Sequence, residues 1–154
     1  MNAIELLKQD HKKVKGLFDE VKATEDIKTK QKLFETIKTE LETHTHIEET
    51  IFYPYLLENG NEEVKDITKE GLEEHHEVKI FLREISALSD DSDKFEPKLK
   101  VLMENVEHHV EEEEGEMFPK VEDQFDETVL EELGASMEAE KKNFKPSASA
   151  ASGK

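Results

Sequence analysis

Residues 44 to 56 read "HTHIEETIFYPYL", an amphipathic helical stretch whose inward stripe contains a histidine and a glutamate. Upstream, Phe34, Ile37 and Leu41 mark one face at steps of three and four; continuing that rhythm selects His44, Glu48, Ile51 and Tyr55. A seam that should be apolar therefore presents an imidazole and, four residues on, a carboxylate. Positions i and i+4 point the same way one turn apart, so both groups aim at whatever the helix packs against.

The same rhythm recurs along the chain. Asn2 and Glu5 have the spacing of a capping box, and Ile4, Leu7, His11, Val14, Phe18 and Val21 follow at steps of 3, 4, 3, 4 and 3. The second helix is expected to start near Asp26 and to stop at Asn59-Gly60. A third, from about 61 to 88, has Gly71, His75, Val78, Leu82 and Ile85 in phase, before the polar run "SDDSD". The fourth begins between 93 and 97 with proline in its first turn and carries Phe95, Leu99, Leu102, Val106, His109 and Glu113. Asp126 is suited to cap a fifth, shorter helix ending near Phe144. "PSASAASGK", 146 to 154, has the composition of a disordered tail after a domain of residues 1–145.

These elements predict an all-α protein. Short connections make consecutive helices antiparallel, and the 3/4 alternation is that of nearly aligned packing, so an up-down-up-down four-helix bundle with an additional short C-terminal helix is expected. An internal repeat agrees. A shift of 65 residues lays "HTHIEETIFYPYL" on "HVEEEEGEMFPKV" (109–121), pairing His44 with His109, Glu48 with Glu113 and Pro54 with Pro119. A shift of 64 lays "HKKVKGLFDEV" (11–21) on "HHEVKIFLREI" (75–85), pairing His11 with His75. Each half thus supplies one lone histidine and one His-x-x-x-Glu pair.

Composition excludes several functions. A formal charge of −18 over 154 residues opposes nucleic acid and anionic membranes, both of which need a basic face. With no cysteine there are no disulfides, thiolate metal sites or cysteine nucleophiles. No apolar run is long enough to span a bilayer and no signal-peptide core precedes the first helix, so a soluble, cytoplasmic protein is expected. No motif names a protein partner.

Burying unpaired carboxylates costs several kcal/mol each, more than hydrogen bonds to neutral imidazoles return. A cation removes the difficulty. His11, His44, Glu48, His75, His109 and Glu113 offer too many donors for one tetrahedral zinc and too much nitrogen for calcium or magnesium. Two transition-metal ions bridged by the glutamates would receive roughly eight donor atoms of about twelve, which leaves places for water, oxo or an external ligand. Iron, with dioxygen as the small ligand, suits that set. His46, His76 and His108 are read as solvent-facing or as supports behind the ligands. His76 adjoins the seam and His108 would place Glu113 at i+5, so each remains the alternative to its neighbour. Glu49 and Glu114 are the nearest competitors for bridging, and Tyr53 and Tyr55 are read as packing.

With those residues in hand, the chain resembles the hemerythrin-like, or HHE cation-binding, domain proteins over about residues 3 to 121. "DHKKV", "HTHIEETIFYP", "EEHHEVK" and "HVEEEEGEMFP" carry the resemblance, and "LEELGASMEAEKK" is similar to the additional helix of bacterial members. It implies a non-haem di-iron centre with an oxo or hydroxo bridge, held by the six residues named above. The oxygen carriers of this kind have a fifth histidine four residues before the position matched by His75; here it is Gly71. Their second carboxylate also stands at i+5 from its histidine, where Glu113 stands at i+4. The resemblance therefore implies binding of, or response to, dioxygen, with decomposition of hydrogen peroxide, handling of nitric oxide, or iron holding or a structural metal site as alternatives. Ferritin-like proteins fit less well, since their pairs run Glu-x-x-His.

Overall fold

A computed structural model describes residues 1–146 as helices α1 (Ala3–Ala23), α2 (Ile27–Ile47), α3 (Tyr53–Asn59), α4 (Glu62–Ser86), α5 (Phe95–Glu112), α6 (Phe118–Gln124) and α7 (Glu127–Asn143). From residue 147 on, the expected tail lies outside the described residues. Helix α2 runs into α3 through a π turn at Glu48–Phe52, and α5 into α6 through one at Glu113–Met117. The four long rods are thus α1, α2–α3, α4 and α5–α6, an antiparallel bundle, with α7 laid against α1. No described helix is long and apolar enough to cross a membrane.

Helix starts follow from local chemistry. The Asn2 side chain accepts from the Glu5 N–H at 2.8 Å while Glu5 accepts from the Asn2 N–H at 2.9 Å, the reciprocal capping box. Asp26, Asn61 and Asp126 each accept from the N–H three residues on and open α2, α4 and α7.

The two π turns correct the expected seam. At each turn one extra residue is wound in, so the Tyr53 N–H reaches the Glu48 carbonyl and the Phe118 N–H reaches that of Glu113. Beyond Glu48 the inward stripe therefore advances by one. Ile51 and Tyr55 are only half-buried, while Phe52, Tyr53 and Leu56 form the core. The cause is proline. Pro54 has no N–H to give the carbonyl of residue 50, and its ring would collide with it in an α-helix; Pro119 stands in the same relation to residue 115. The paired prolines of the internal repeat are the signal of this shift.

Apolar side chains fall into two clusters, one around Leu7, Phe52, Tyr53, Leu56, Phe118 and Val121, the other around Val14, Phe18, Ile37, Leu82, Leu99 and Leu102. Along α1, Leu7 belongs to the first and Val14 to the second, with His11 between. The polar layer is thus sandwiched, with dry packing on either side.

Helix α7 joins the first cluster through Leu130, Leu133 and Met137. Its approach is closest at Gly134, where an added Cβ would lie 2.2 Å from the Met1 carbonyl oxygen and 2.8 Å from the Asn2 carbonyl carbon. Both are backbone atoms and cannot swing aside. Gly134→Ala is expected to push α7 off the start of α1, costing about 1–3 kcal/mol and lowering the melting temperature by roughly 2–10 °C. An unchanged melting curve would show that the two helices do not meet this closely.

Candidate metal centre

All six seam residues converge in the sandwiched layer, and all are buried. His11 comes from α1, His44 from α2, His75 from α4 and His109 from α5, while Glu48 and Glu113 open the two π turns. Their donor atoms form two groups, His11, His44 and Glu113 in one and Glu48, His75 and His109 in the other, each with all ligand atoms within 4.8 Å of one another. The repeat exchanges these groups: each takes two imidazoles from one half of the chain and a carboxylate from the other. His76 and His108 are exposed, whereas His75 and His109 lie buried in the polar layer. His46 is half-buried, stacked on Phe144 with centroids 4.0 Å apart and bonded to Glu140 at 2.6 Å, away from the centre.

Glu113 spans the two groups. One oxygen lies 3.0 Å from His11 Nε2 and the other 3.4 Å from His109 Nε2. Glu48 places a single oxygen 2.8 Å from His75 Nε2 and 3.4 Å from His44 Nε2. Three of these inward donors, His44 Nε2, His109 Nε2 and Glu48 Oε2, are buried without a hydrogen-bond partner among the described residues. Orphaned atoms in a closed interior cost about 1–3 kcal/mol each. A metal ion accepts lone pairs from all three, so the residues fit the group that the resemblance implies.

Every imidazole is also held from behind, by residues that seam periodicity did not identify. His11 Nδ1 meets Glu114 at 2.7 Å, His44 Nδ1 meets Asp10 at 3.0 Å, His75 Nδ1 meets Glu49 at 2.7 Å and His109 Nδ1 meets Glu74 at 2.5 Å. A carboxylate at Nδ1 fixes the tautomer that leaves Nε2 free to bind metal. Glu49 and Glu114 thus stand behind the imidazoles instead of bridging. Their signal was adjacency, since each of the four carboxylates is next in sequence to one of the six seam residues and supports an imidazole on another helix.

Electrostatics match a site built for cations. Burial first, and Glu113 second, push the Glu48 carboxyl well above the ordinary range. Burial also works against Glu113, but His109 and His11 outweigh it and hold Glu113 well below. The His109 imidazole resists burial in the same way, pushed up to about 10 by Glu113 and Glu74. Two carboxylates in one dry layer cannot both be charged without a positive partner: a proton serves in the free protein, and a metal ion serves better.

Tyr53 is the residue misread as simple packing. It is fully buried, and its hydroxyl donates a short hydrogen bond to Glu113. The ring reaches over Gly71, where an added Cβ would lie 3.0 Å from the phenol oxygen. The place at which the oxygen carriers keep a fifth histidine is thus filled by a phenol. The π turn is what brings it inward.

A cavity of about 20 Å³ adjoins the imidazoles, walled by Val14, Leu41, Val78 and Val106. That volume suits one water or a ligand of two heavy atoms.

Residues 2–121 match the family model described as the hemerythrin HHE cation-binding domain. A crystal structure of an HHE cation-binding domain-containing protein from Mycobacterium kansasii superposes with a TM-score of 0.78 at 26% identity, covering 93% of this chain and 86% of that one. Among curated relatives, an uncharacterized protein of Mycobacterium tuberculosis is 31% identical over 90% of this chain and 84% of its own length. An uncharacterized hemerythrin-like protein of Schizosaccharomyces pombe is 29% identical over 87% of this chain, and a DNA nickase of Nostoc is 28% identical over 92%. The chain spans only 66% and 39% of the lengths of these last two. With its bundle, its His/Glu groups and a family match over most of its length, the chain belongs to the hemerythrin HHE cation-binding domain family.

Proposed function

We propose that the six seam residues hold two iron ions with Glu48 and Glu113 between them, and that the centre binds a ligand of dioxygen size. The supporting observation is the pair of three-residue groups spanned by Glu113, with three buried donor atoms left unpaired. Bound iron would supply one- and two-electron redox chemistry and open coordination positions. The chain's own residues orient the imidazoles through four carboxylates, exclude water with two apolar clusters, and restrict access to a cavity of about 20 Å³. Dioxygen, hydrogen peroxide and nitric oxide are of the right size. Since −18 charges repel DNA phosphates, no DNA partner is proposed despite the name of the Nostoc relative.

Decomposition of peroxide is the second reading, and Tyr53 favours it. A phenol hydrogen-bonded to Glu113 at the position of the carriers' histidine places a proton donor at the centre where a carrier would place a ligand. The purified protein should contain about two irons per chain and absorb in the near ultraviolet. Anaerobic reduction and readmission of air with a reversible spectral change supports dioxygen binding; rapid oxygen evolution from peroxide supports the enzyme. Tyr53→Phe is then expected to keep its iron and lose on the order of 10²-fold in peroxide turnover. Two irons with neither response would leave iron holding, and one colourless zinc would defeat both active readings.

A further inference from the structure

Two of the four carboxylates behind the imidazoles are neutralised from outside by a lysine. Asp10 gives its second oxygen to Lys141 at 2.5 Å, and Glu49 gives its own to Lys79 at 2.7 Å. Among the described residues no lysine or arginine pairs with Glu74, whose nearest outer cationic group is the His108 imidazole. Next to it on α5 stand His108 and Glu112, joined to each other at 2.7 Å across one helical turn. Donor atoms of Glu74, His108 and Glu112 all lie within 4.8 Å of one another. Two carboxylates from two helices and one imidazole therefore converge at the surface, just outside His109.

We propose that Glu74, His108 and Glu112 form a third divalent-cation site, open to solvent and selective for first-row transition ions such as Fe²⁺ or Mn²⁺. The nitrogen donor disfavours calcium and magnesium, and three protein donors leave several positions for water, as an exchangeable site requires. The trio is not a by-product of the repeat. In the other half, the positions matching His108 and Glu112 under the 65-residue shift are Thr43 and Ile47, and the carboxylate matching Glu74 is Asp10, whose counter-charge is Lys141. An ion here does for Glu74 what Lys141 does for Asp10. With −18 charges on the chain, the surrounding field concentrates divalent cations at such a point. Glu74 also bonds His109 Nδ1, so an ion bound outside is one carboxylate away from the buried centre. The site is placed to receive ions on their way in.

The test uses full-length protein with its buried centre loaded and excess metal removed, titrated with Mn²⁺ while the paramagnetic resonance of the free aqua ion is followed. Wild type should take up one equivalent that His108→Ala and Glu112→Gln each weaken at least tenfold, with the metal content of the buried centre unchanged in both. Loading of metal-free protein with Fe²⁺ should be several-fold slower in His108→Ala and reach the same final content. Absence of the Mn²⁺ equivalent from wild type, or equal binding by wild type and both variants, overturns the proposal. Failure of the buried centre to hold iron is seen separately, in metal content that does not depend on His108.

Discussion

Replacing Glu113 with glutamine should abolish iron binding, lowering the content of the purified protein from about two ions per chain to a small residue of adventitious metal. Glu113 is the group whose two oxygens face imidazoles of both clusters, so its loss removes a charged donor from each ion at once. Glu48→Gln should also deplete iron. Changes behind the ligands should be milder: Glu114→Gln and Glu49→Gln disturb only the orientation of His11 and His75, and a loss of roughly 10–100-fold in affinity is expected. His46→Ala, which touches Phe144 and Glu140 and not the centre, should keep its iron. Elemental analysis of the five proteins, purified alike, decides the matter; two irons in Glu113→Gln would sink the assignment. Stability should move in the opposite sense to iron in one case. Glu48 is held above its ordinary range by burial and by Glu113, so the metal-free fold favours its neutral form. A glutamine presents a similar neutral group, and metal-free Glu48→Gln should melt no lower than metal-free wild type. That result would mean that metal binding, and not stability, keeps the second carboxylate in the core.

The seams were legible because the chemistry follows helical spacing. His44 with Glu48, and His109 with Glu113, fall at i and i+4 in stripes otherwise filled by Leu, Val and Phe, and a repeated pair in a buried stripe has few explanations other than a cation. The capping residues Asn2, Asp26 and Asp126 were legible for the same reason, since their bonds are local. Periodicity failed where the helix departs from 3.6 residues per turn. At Pro54 and Pro119 a π turn absorbs one residue, and a rule that assumes constant pitch keeps selecting Ile51 and Tyr55 when the core has moved to Phe52, Tyr53 and Leu56. Tyr53 was lost through that shift, and with it the explanation of Gly71, whose missing side chain makes room for the phenol. The supporting carboxylates escaped for a different reason. Asp10, Glu49, Glu74 and Glu114 act across helices, and their one local signal, adjacency to a seam residue, does not say which imidazole each of them supports.

Stripped of metal, the protein should lose stability as pH rises from about 6.5 to about 10, and restoring metal should remove most of that loss. His109 is the main cause. Its folded-state pKa is pushed up to about 10, above the ordinary histidine value, so the stability its charge contributes is complete below about 6.5 and disappears as pH climbs through about 10. His11 is raised by Glu113 and Glu114 in spite of burial, and Glu48 is raised by burial and Glu113; both act in the same direction. His44 and His75, lowered chiefly by burial, act the other way: their cost to stability in acid fades as pH rises through the ordinary histidine range. The carboxylates held low, Glu113, Asp10, Glu74 and Glu49, the last at about 2, contribute fully above the ordinary carboxylate range and lose their share only in acid. The alkaline limb therefore belongs to imidazoles that need a positive charge beside Glu113. A metal ion supplies that charge while binding neutral imidazoles, and it releases their protons on binding. The gap in melting temperature between loaded and metal-free protein should accordingly widen by roughly 5–10 °C between pH 6.5 and 9.5. Parallel pH profiles with and without metal would mean that the protons and the ions do not compete for the same six side chains.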